Sequence, residues 1–346
     1  MNKSVMAILL VLTLVVTMLT GCGKPESPAA GDPGGDGVQD ETYTIKIGHV
    51  EPEERSSHQA ALEFKDYVEK ESDGKIKVEI HPNAVLGGDV QLTEAVALGT
   101  LEMAIPATSV LTMYSNDFGV LDMPFLFNTP EAGFNALDGE LGERLTAKLK
   151  EVGIDCLGYG FNGSRSLTNS KRPIHEPADL KGLKVRVMES PVFIDLFKTL
   201  GANATPMSFS ELFTALQQKT VDAQENPPSL IYTSRFQEVQ SYLSLTNHVY
   251  NYLGMIINAD FLNSLPAEYK TLVEEAGRKF LVERQRELEL RDTDLYIEKL
   301  REAGMEVNEI TPENNKKFQE ALQPMYEKYE KELGQDIFDL ARKYNK

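Results

Sequence analysis

Arg186 is the residue whose type and position best suit ligand chemistry. Apolar residues at positions 183, 185 and 187 alternate with basic ones, which predicts a strand with Arg186 on the face opposite its apolar side chains. An arginine there either pairs with an acidic side chain of the fold or, in a cleft, binds a substrate carboxylate through both of its terminal nitrogens. The strand pattern alone leaves both roles open.

Two further segments after this strand contain candidate ligand contacts. Ser208 and Glu211 have the spacing of a capping box ahead of an apolar helical run. Phe209, one residue into that cap, is then either a packing residue or the apolar wall of a pocket. Asn226 lies in a polar turn that is held extended because a proline follows it. Its amide either hydrogen-bonds a ligand or closes the turn.

The sequence lacks the familiar motifs of catalytic and metal sites. Its five histidines do not have the i, i+4 spacing of a helical zinc site, and it has no Cys/His cluster. It has no Walker loop and no G-x-S-x-G elbow, and the glycines at 158, 160 and 163 match a dinucleotide fingerprint only in part. We therefore predict no cofactor, no metal and no catalytic residue. An exported enzyme with another constellation stays an alternative.

The composition is that of an acidic globular protein. The 346 residues include 35 Lys and Arg against 53 Asp and Glu, which gives a formal charge of −18. This charge argues against nucleic acid as a partner and against docking on an anionic membrane through basic residues. Contents of 41% hydrophobic and 25% charged residues are typical of a folded chain. The length predicts about two domains.

The N-terminus predicts export and lipid attachment. Lys3 precedes an apolar run at 5–19, which is short for a transmembrane helix but fits a signal peptide. The run leads into Leu-Thr-Gly-Cys at 19–22, which resembles a bacterial lipobox whose cysteine, Cys22, receives the lipid. An ordinary secretory signal with an incidental cysteine is the alternative. Residues 22–42 are rich in glycine, proline and acid and predict a flexible tether. We expect an extracytoplasmic protein whose only membrane attachment is this lipid.

Alternating strand and helix patterns predict an α/β fold. The segment 43–47 has the period-two pattern of a strand, 57–72 that of a helix and 76–80 that of a second strand. This order within about 40 residues predicts a parallel βαβ unit. Later patterns favour two sheets with flanking helices. The segment 266–303 predicts a helix of over about 30 residues, long enough to cross from one domain to the other.

Six segments together resemble a known family. They are GLKVRV, ATPMSFSELFTALQQ, VDAQENP, TNHVYN, GKIKVEIHPNAVLGGD and LGTLEMAI. Their order and spacing resemble the solute receptors of tripartite ATP-independent periplasmic (TRAP) transporters, in the branch often described as C4-dicarboxylate-binding. The resemblance extends from about Thr44 to the C-terminus.

The resemblance implies a two-lobed α/β receptor that closes on a small organic acid anion and delivers it to the TRAP membrane permease. A receptor of the same fold that reports to a sensor kinase is the alternative. The expected organisation is a signal peptide at 1–21, a tether at 22–42, the first lobe at 43–162, the second lobe at 163–251, a return to the first lobe with the spanning helix at 252–291, and C-terminal helices, mainly of the second lobe, at 292–346.

The resemblance also implies the ligand contacts. Arg186 corresponds to the principal carboxylate-binding arginine, and Arg165 to a second arginine that supports the ligand. Asn226 corresponds to the asparagine that holds the carboxylate and the arginine in place, and Phe209 to the aromatic residue that packs on the ligand. The remaining expected contacts, in two loops, are His49, Glu51 and Asp89.

Departures from the family pattern bear on the ligand. Lys219 and Ala223 replace glycines, which adjusts one turn. Ala107 stands where sialate-binding members carry a glutamate, which argues against sialic acid. Glu189, three residues after Arg186, repels a second carboxylate but accepts hydrogen bonds from hydroxyl groups. We therefore expect a hydroxylated monocarboxylate, such as a hexuronate or another sugar acid, ahead of a plain C4-dicarboxylate.

Overall fold

The structure is a computed structural model that describes residues 42–345. The predicted signal peptide, the lipid-accepting Cys22 and most of the predicted tether lie outside the described residues. No helix within 42–345 has both the length and the apolar content that a membrane crossing requires.

The strands of the described chain form one mixed sheet. They are β1 (Tyr43–Gly48), β2 (Ile76–His81), β3 (Met103–Ala104), β4 (Ile154–Asn169), β5 (Lys184–Val187), β6 (Asn203–Pro206), β7 (Ala223–Asn226), β8 (Tyr242–Asn258) and β9 (Glu306–Glu309). Their order is β2-β1-β3-β8-β4-β7-β5-β6, and β9 pairs with β8. Parallel pairing joins β1 to β2 and β3 at one end of the sheet, and β5 to β6 and β7 at the other. The predicted βαβ unit is confirmed.

The prediction of two separate sheets is wrong because two long central strands join both ends into one sheet. β4 has 16 residues and β8 has 17, and they pair antiparallel from Ile154 to Asn169. The register shifts near Gly158 and Gly163, which have φ of 138° and 120°. Glycine adopts such angles without strain, so these positions let the paired strands bend without separating.

Helices alternate with the strands and make up most of the C-terminal part of the described chain. They are α1 (Ser56–Glu71), α2 (Asp89–Ala97), α3 (Pro130–Leu137), α4 (Glu140–Lys150), α5 (Pro191–Thr199), α6 (Phe209–Gln217), α7 (Pro228–Thr233), α8 (Ala259–Ser264), α9 (Ala267–Ala276), α10 (Gln285–Glu302), α11 (Pro312–Ala321), α12 (Gln323–Leu333) and α13 (Gln335–Arg342). Short 3₁₀ helices lie at Thr108–Met113, Asn116–Asp122, Pro177–Leu180 and Phe236–Glu238.

The predicted long helix is present. α9, a π-helical stretch at Gly277–Arg284 and α10 follow one another without a break. The π-helical stretch packs on α1, where Arg284 contacts Glu63 at 3.2 Å. Further along, α10 packs on α7, where Ser229 donates a hydrogen bond to Glu289. One helical segment therefore touches elements from both ends of the sheet.

The core separates into clusters that follow the sheet. Ile45, Phe64 and Val78 belong to a cluster between β1, β2, α1 and the long helical segment. Their burial agrees with the period-two pattern of the two strands and the helical spacing of α1 in the sequence. The lobe boundaries stay a prediction: α11 contacts the 3₁₀ helix at Pro177–Leu180, whereas α13 contacts α3 and α4, which the prediction places in the first lobe.

Candidate ligand-binding site

A cavity forms where the loops after β1 and β3 meet the ends of β5 and β7. The space that the centre of a water molecule can reach is about 30 Å³, so the lining side chains pack closely around it. All of the predicted ligand contacts except His49 line this cavity. The lining residues are Val50, Glu51, Asp89, Ile105, Ala107, Val110, Asn162, Arg165, Arg186, Met188, Glu189, Phe209, Asn226, Leu230 and Leu253.

Arg186 lies on β5 with only 2% of its surface exposed. Its Nε donates a hydrogen bond to the Met207 carbonyl at 2.9 Å, but its Nη1 has no hydrogen-bond partner among the described residues. Burial lowers the pKa of Arg186 to about 10, although the nearby carboxylate of Glu225 favours the charged form. A buried cation with an unpaired donor is suited to an anionic ligand.

Arg165, on β4, has its charge matched within the protein. Its Nε lies 2.5 Å and its Nη2 2.7 Å from the two carboxylate oxygens of Glu225, and both residues are fully buried. Burial alone would raise the pKa of Glu225, but the charge and hydrogen bonds of Arg165 hold it below its usual value. His248 Nε2 contacts the same carboxylate at 3.2 Å. Arg165 therefore lines the cavity with its guanidinium already paired.

Asn226 ends β7 and lines the cavity beside the arginines. Its Nδ2 donates to Gln224 Oε1 at 2.5 Å, and Gln224 in turn donates to Thr168 on β4. The resemblance implies that Asn226 holds Arg186 in place, but the hydrogen bond observed here goes to Gln224 instead. Gln224 of the same strand, itself bonded to β4, thus positions the asparagine without Arg186.

Glu51 brings a second charged network to the cavity. Its Oε1 lies 3.3 Å from Nη2 of Arg55, and Ser57 donates a short hydrogen bond to its Oε2. Arg55 also pairs with Glu289 on α10 at 3.0 Å and donates to the Asn162 carbonyl at 2.9 Å. Because the single cation Arg55 pairs with both Glu51 and Glu289, these three buried side chains have a formal charge of one negative unit.

The other two acids differ in their burial. Asp89 begins α2 and is half-buried as a residue, but its Oδ1 is buried and has no hydrogen-bond partner among the described residues. Burial, followed by the charge of Glu51, raises the pKa of Asp89 to about 7. Glu189 lines the cavity but is an exposed residue, so water screens its charge. The interior acids are therefore Glu51 and Asp89.

His49 does not line the cavity. Its Nε2 contacts Nδ1 of His58 on α1 at 3.1 Å, and both rings are buried. The side chain thus lies against the helix behind the loop. Burial lowers the pKa of His49 to about 4, so the ring is neutral at pH 7.

Phe209 supplies the apolar wall of the cavity. Its ring also packs on Phe236, with ring centroids 5.9 Å apart, so it has both of the roles that the sequence left open. The predicted capping box is wrong: Ser208 stands at the N-cap of α6 but makes no side-chain cap. Its hydroxyl pairs with Ser210 Oγ at 3.0 Å, which competes with the backbone N–H groups.

Comparison with known proteins identifies the family. Residues 47–332 match the bacterial extracellular solute-binding proteins of family 7. The chain belongs to this family. Its members are extracytoplasmic solute receptors, and the TRAP resemblance in the sequence is confirmed.

Three relatives illustrate the range of the family. The chain is 36% identical to the 2,3-diketo-L-gulonate-binding periplasmic protein YiaO of Escherichia coli, over 81% of this chain and 84% of that protein. It is similar in structure to the sugar acid binding protein DctPAm of Advenella mimigardefordensis in complex with galactonate (TM-score 0.85, 36% identity, 88% and 99% covered). It is also similar to a TRAP solute-binding protein of Sulfurospirillum deleyianum with bound succinate (TM-score 0.84, 32% identity, 87% and 99% covered).

Sequence reasoning missed part of this receptor's site. Arg55 and Asn162 connect the cavity to the long helical segment, and neither was predicted. The i, i+4 spacing of Glu51 and Arg55 was the available signal, but opposite charges at this spacing usually indicate a pair on a helix surface. Within residues 42–345, no group of three or more His, Cys, Asp or Glu side chains has a metal-binding arrangement.

Proposed function

We propose that this receptor binds the carboxylate of a sugar acid through Arg186 and delivers the acid to a TRAP permease in the membrane. One observation carries the proposal: of the two arginines that line the cavity, Arg165 is paired with Glu225, whereas Arg186 makes no ion pair among the described residues. A ligand carboxylate supplies the missing partner. In a closed cavity the charge-assisted hydrogen bonds that result are strong.

The charges around Arg186 favour one carboxylate rather than two. Glu51 and Asp89 line the interior, where Glu51 adds negative charge, and among the described lining residues no cation other than Arg186 is without an acidic partner to balance a second ligand charge. Both acids are hydrogen-bond acceptors for hydroxyl groups. Their placement supports a polyhydroxy monocarboxylate over a C4-dicarboxylate, as the sequence suggested from Glu189. Glu189 itself contributes less than expected because it is exposed.

A ligand panel tests this function. Residues 41–346, which form one compact unit, are titrated with galactonate, galacturonate, succinate and malate while the unfolding temperature is followed. A ligand at 100 times its Kd stabilises the fold by about 2.7 kcal/mol. We expect a sugar acid to give the largest shift. Arg186→Ala should lose that shift, and the surface variant Arg301→Ala should keep it.

The outcomes separate the alternatives. A larger shift with succinate or malate than with either sugar acid would contradict the proposed ligand class. A shift that survives in Arg186→Ala would contradict the arginine clamp. Because we propose a receptor without catalytic activity, the ligand recovered after prolonged incubation should be unchanged, and any conversion would support the exported enzyme instead.

We also propose that Cys22 carries a lipid that anchors the receptor to the membrane. The lipobox-like Leu-Thr-Gly-Cys supports this. The other cysteine offers a matched control: Cys156 is half-buried, its Sγ donates to the Gly158 carbonyl at 3.1 Å, and burial raises its pKa to about 11. Cys22→Ser should abolish incorporation of radiolabelled fatty acid, whereas Cys156→Ser should retain it. Label that persists in Cys22→Ser would exclude this anchor.

A further inference from the structure

Asp89 is an acid in the ligand cavity without a cation of its own. Its Oδ1 is buried and unpaired, and the group makes no salt bridge among the described residues. The nearby Ala107 backbone N–H favours the charged form of the carboxyl but does not outweigh the effect of burial on its pKa. A buried carboxylate with so few partners is costly, and such a group reduces the cost by binding a proton.

The charged groups around Asp89 come from three other elements. The loop after β1 contributes Glu51, which Arg55 shares with Glu289. The end of β5 and the residues that follow contribute Arg186 and Glu189. β4 contributes Arg165, whose charge is taken by Glu225. Arg186 is therefore the one lining cation, within the described residues, that stabilises an ionised Asp89.

We propose that Asp89 takes up a proton when the receptor binds a sugar acid, so that the anion and one proton bind together. The inference rests on the proposed function. A ligand carboxylate that pairs with Arg186 neutralises the cation that stabilised ionised Asp89. It also adds a negative charge to the same cavity. The proton comes from the solvent and forms an O–H bond at Asp89. The neutral carboxyl then becomes a hydrogen-bond donor to an oxygen of the ligand.

The titration of the free receptor fits this role. Because burial and Glu51 raise the pKa of Asp89 to about 7, the free receptor is mostly ionised at this position at pH 8. Ligand binding raises the pKa further, since it adds negative charge and neutralises Arg186. The bound form then holds more protons than the free form above pH 7. Linkage requires the affinity to fall as the pH rises through that range, by at most tenfold per pH unit.

Isothermal titration of residues 41–346 with galactonate, or with galacturonate if that acid binds more tightly, tests the proposal. The binding enthalpy is measured at pH 8 in phosphate and in Tris, whose ionisation enthalpies differ, and the difference counts the protons bound. We expect uptake to approach one proton per ligand and the Kd to increase almost tenfold from pH 8 to pH 9. Asp89→Asn should bind the acid with no uptake and a pH-independent Kd. The exposed surface variant Arg301→Ala should retain the uptake.

The results distinguish this inference from the proposed function. Binding of a sugar acid with equal enthalpies in both buffers would overturn the proton uptake and leave the receptor function intact. Uptake that persists in Asp89→Asn would assign the proton to another group. If no sugar acid binds in either buffer, the proposed ligand class fails and the inference fails with it. Should Asp89→Asn fail to fold, infrared difference spectra of the wild-type receptor must still show a new protonated carboxyl on ligand binding.

Discussion

The guanidinium of Arg55 lies 3.0 Å from the carboxylate of Glu289, and both side chains are almost completely buried. Arg55 precedes α1, whereas Glu289 lies in α10, so the pair fixes the long helical segment against the loop after β1. The same arginine contacts Glu51, which lines the ligand cavity. The buried side chain of Arg55 therefore lies between the ligand cavity and the long helical segment and connects the two.

Arg55→Met should strongly destabilise the fold. The substitution keeps much of the side-chain volume but leaves Glu51 and Glu289 buried without their cation. Removing one partner of a buried ion pair costs about 3–5 kcal/mol. We expect a loss of that size in the free energy of unfolding, measured by urea denaturation and far-UV circular dichroism.

Two variants control this measurement. Arg55→Lys keeps the positive charge and should recover part of the lost free energy. Lys343 forms an exposed pair with Glu140, so Lys343→Met should leave the urea midpoint unchanged. A midpoint for Arg55→Met that equals the wild-type value would show that the buried pair does not stabilise the fold.

The two cavity arginines should respond differently to truncation. Arg186→Ala removes a cation that has no ion-pair partner within residues 42–345, so the fold should remain stable while the sugar acid loses its carboxylate contact. Loss of such a contact costs about 2–5 kcal/mol, or roughly 30- to 5,000-fold in Kd. Arg165→Ala instead leaves Glu225 buried without its arginine, which should cost about 3–5 kcal/mol of unfolding free energy.

Urea denaturation and calorimetric titration of both variants separate the two roles. Arg165→Ala is best compared with Arg165→Ala/Glu225→Gln, because the second change removes the uncompensated carboxylate and should restore part of the stability. Equal stability losses in Arg186→Ala and Arg165→Ala would mean that Arg186 has a structural partner, contrary to its free Nη1.

Local sequence patterns were enough to predict the elements near the N-terminus. β1, α1 and β2 appear where apolar residues repeat every two or every three to four positions, because that periodicity directly encodes one buried face. The single sheet was not predictable in this way. The glycines at positions 158 and 163 interrupt the apolar alternation of β4, although the strand continues through all three register shifts against β8.

The partner of Arg165 was hidden for a different reason. Glu225 lies sixty positions further along the chain, and the two meet because β4 and β7 pair antiparallel with Leu167 opposite Glu225. Strand register determines such pairings, and register is a property of the assembled sheet. Residue type and family resemblance therefore placed both arginines at the cavity, but only the structure distinguishes the paired arginine from the free one.

His49 should make the fold sensitive to acid. Its pKa is about 4 in the folded protein and about 6.5 when exposed, so the unfolded chain binds more protons between these values. The contribution of His49 to the free energy of unfolding is on the order of 3 kcal/mol. It is complete above pH 6.5 and is lost as the pH falls towards 4. Urea midpoints across this range should fall less steeply for His49→Gln than for the wild type.

Comparing the wild type with His49→Gln isolates the effect of His49 on the acid sensitivity of the fold. Burial raises the pKa of Asp122 to about 7, so this group changes stability with pH in the opposite sense. Because Asp122 is present in both proteins, its effect cancels when their urea midpoints are subtracted. His58, in contact with His49, also has a pKa lowered by burial, so part of the change belongs to the pair of rings. The exposed His175→Gln serves as the control and should keep the wild-type slope. A wild-type slope in His49→Gln would contradict the prediction.

Glu51→Gln should shift the ligand preference towards dicarboxylates. The substitution preserves shape but removes the net negative charge that Glu51, Arg55 and Glu289 share beside the cavity. A dianion then meets less repulsion, whereas a sugar acid exchanges a charged hydroxyl acceptor for a neutral amide. Both effects lower the ratio of the succinate Kd to the galactonate Kd, and we expect a change of roughly tenfold, or ~1.4 kcal/mol.

Calorimetric titration with succinate and with galactonate at pH 6 measures this ratio of Kd values while Asp89 remains largely protonated. Glu189→Gln removes an equal charge from the exposed rim of the cavity, where water and salt screen it, so it should change the ratio much less. If the two substitutions shifted the ratio equally, burial of the acid would not be what selects the ligand. If Glu51→Gln left the ratio unchanged, the preference for a single carboxylate would depend on the shape of the cavity and not on its charge.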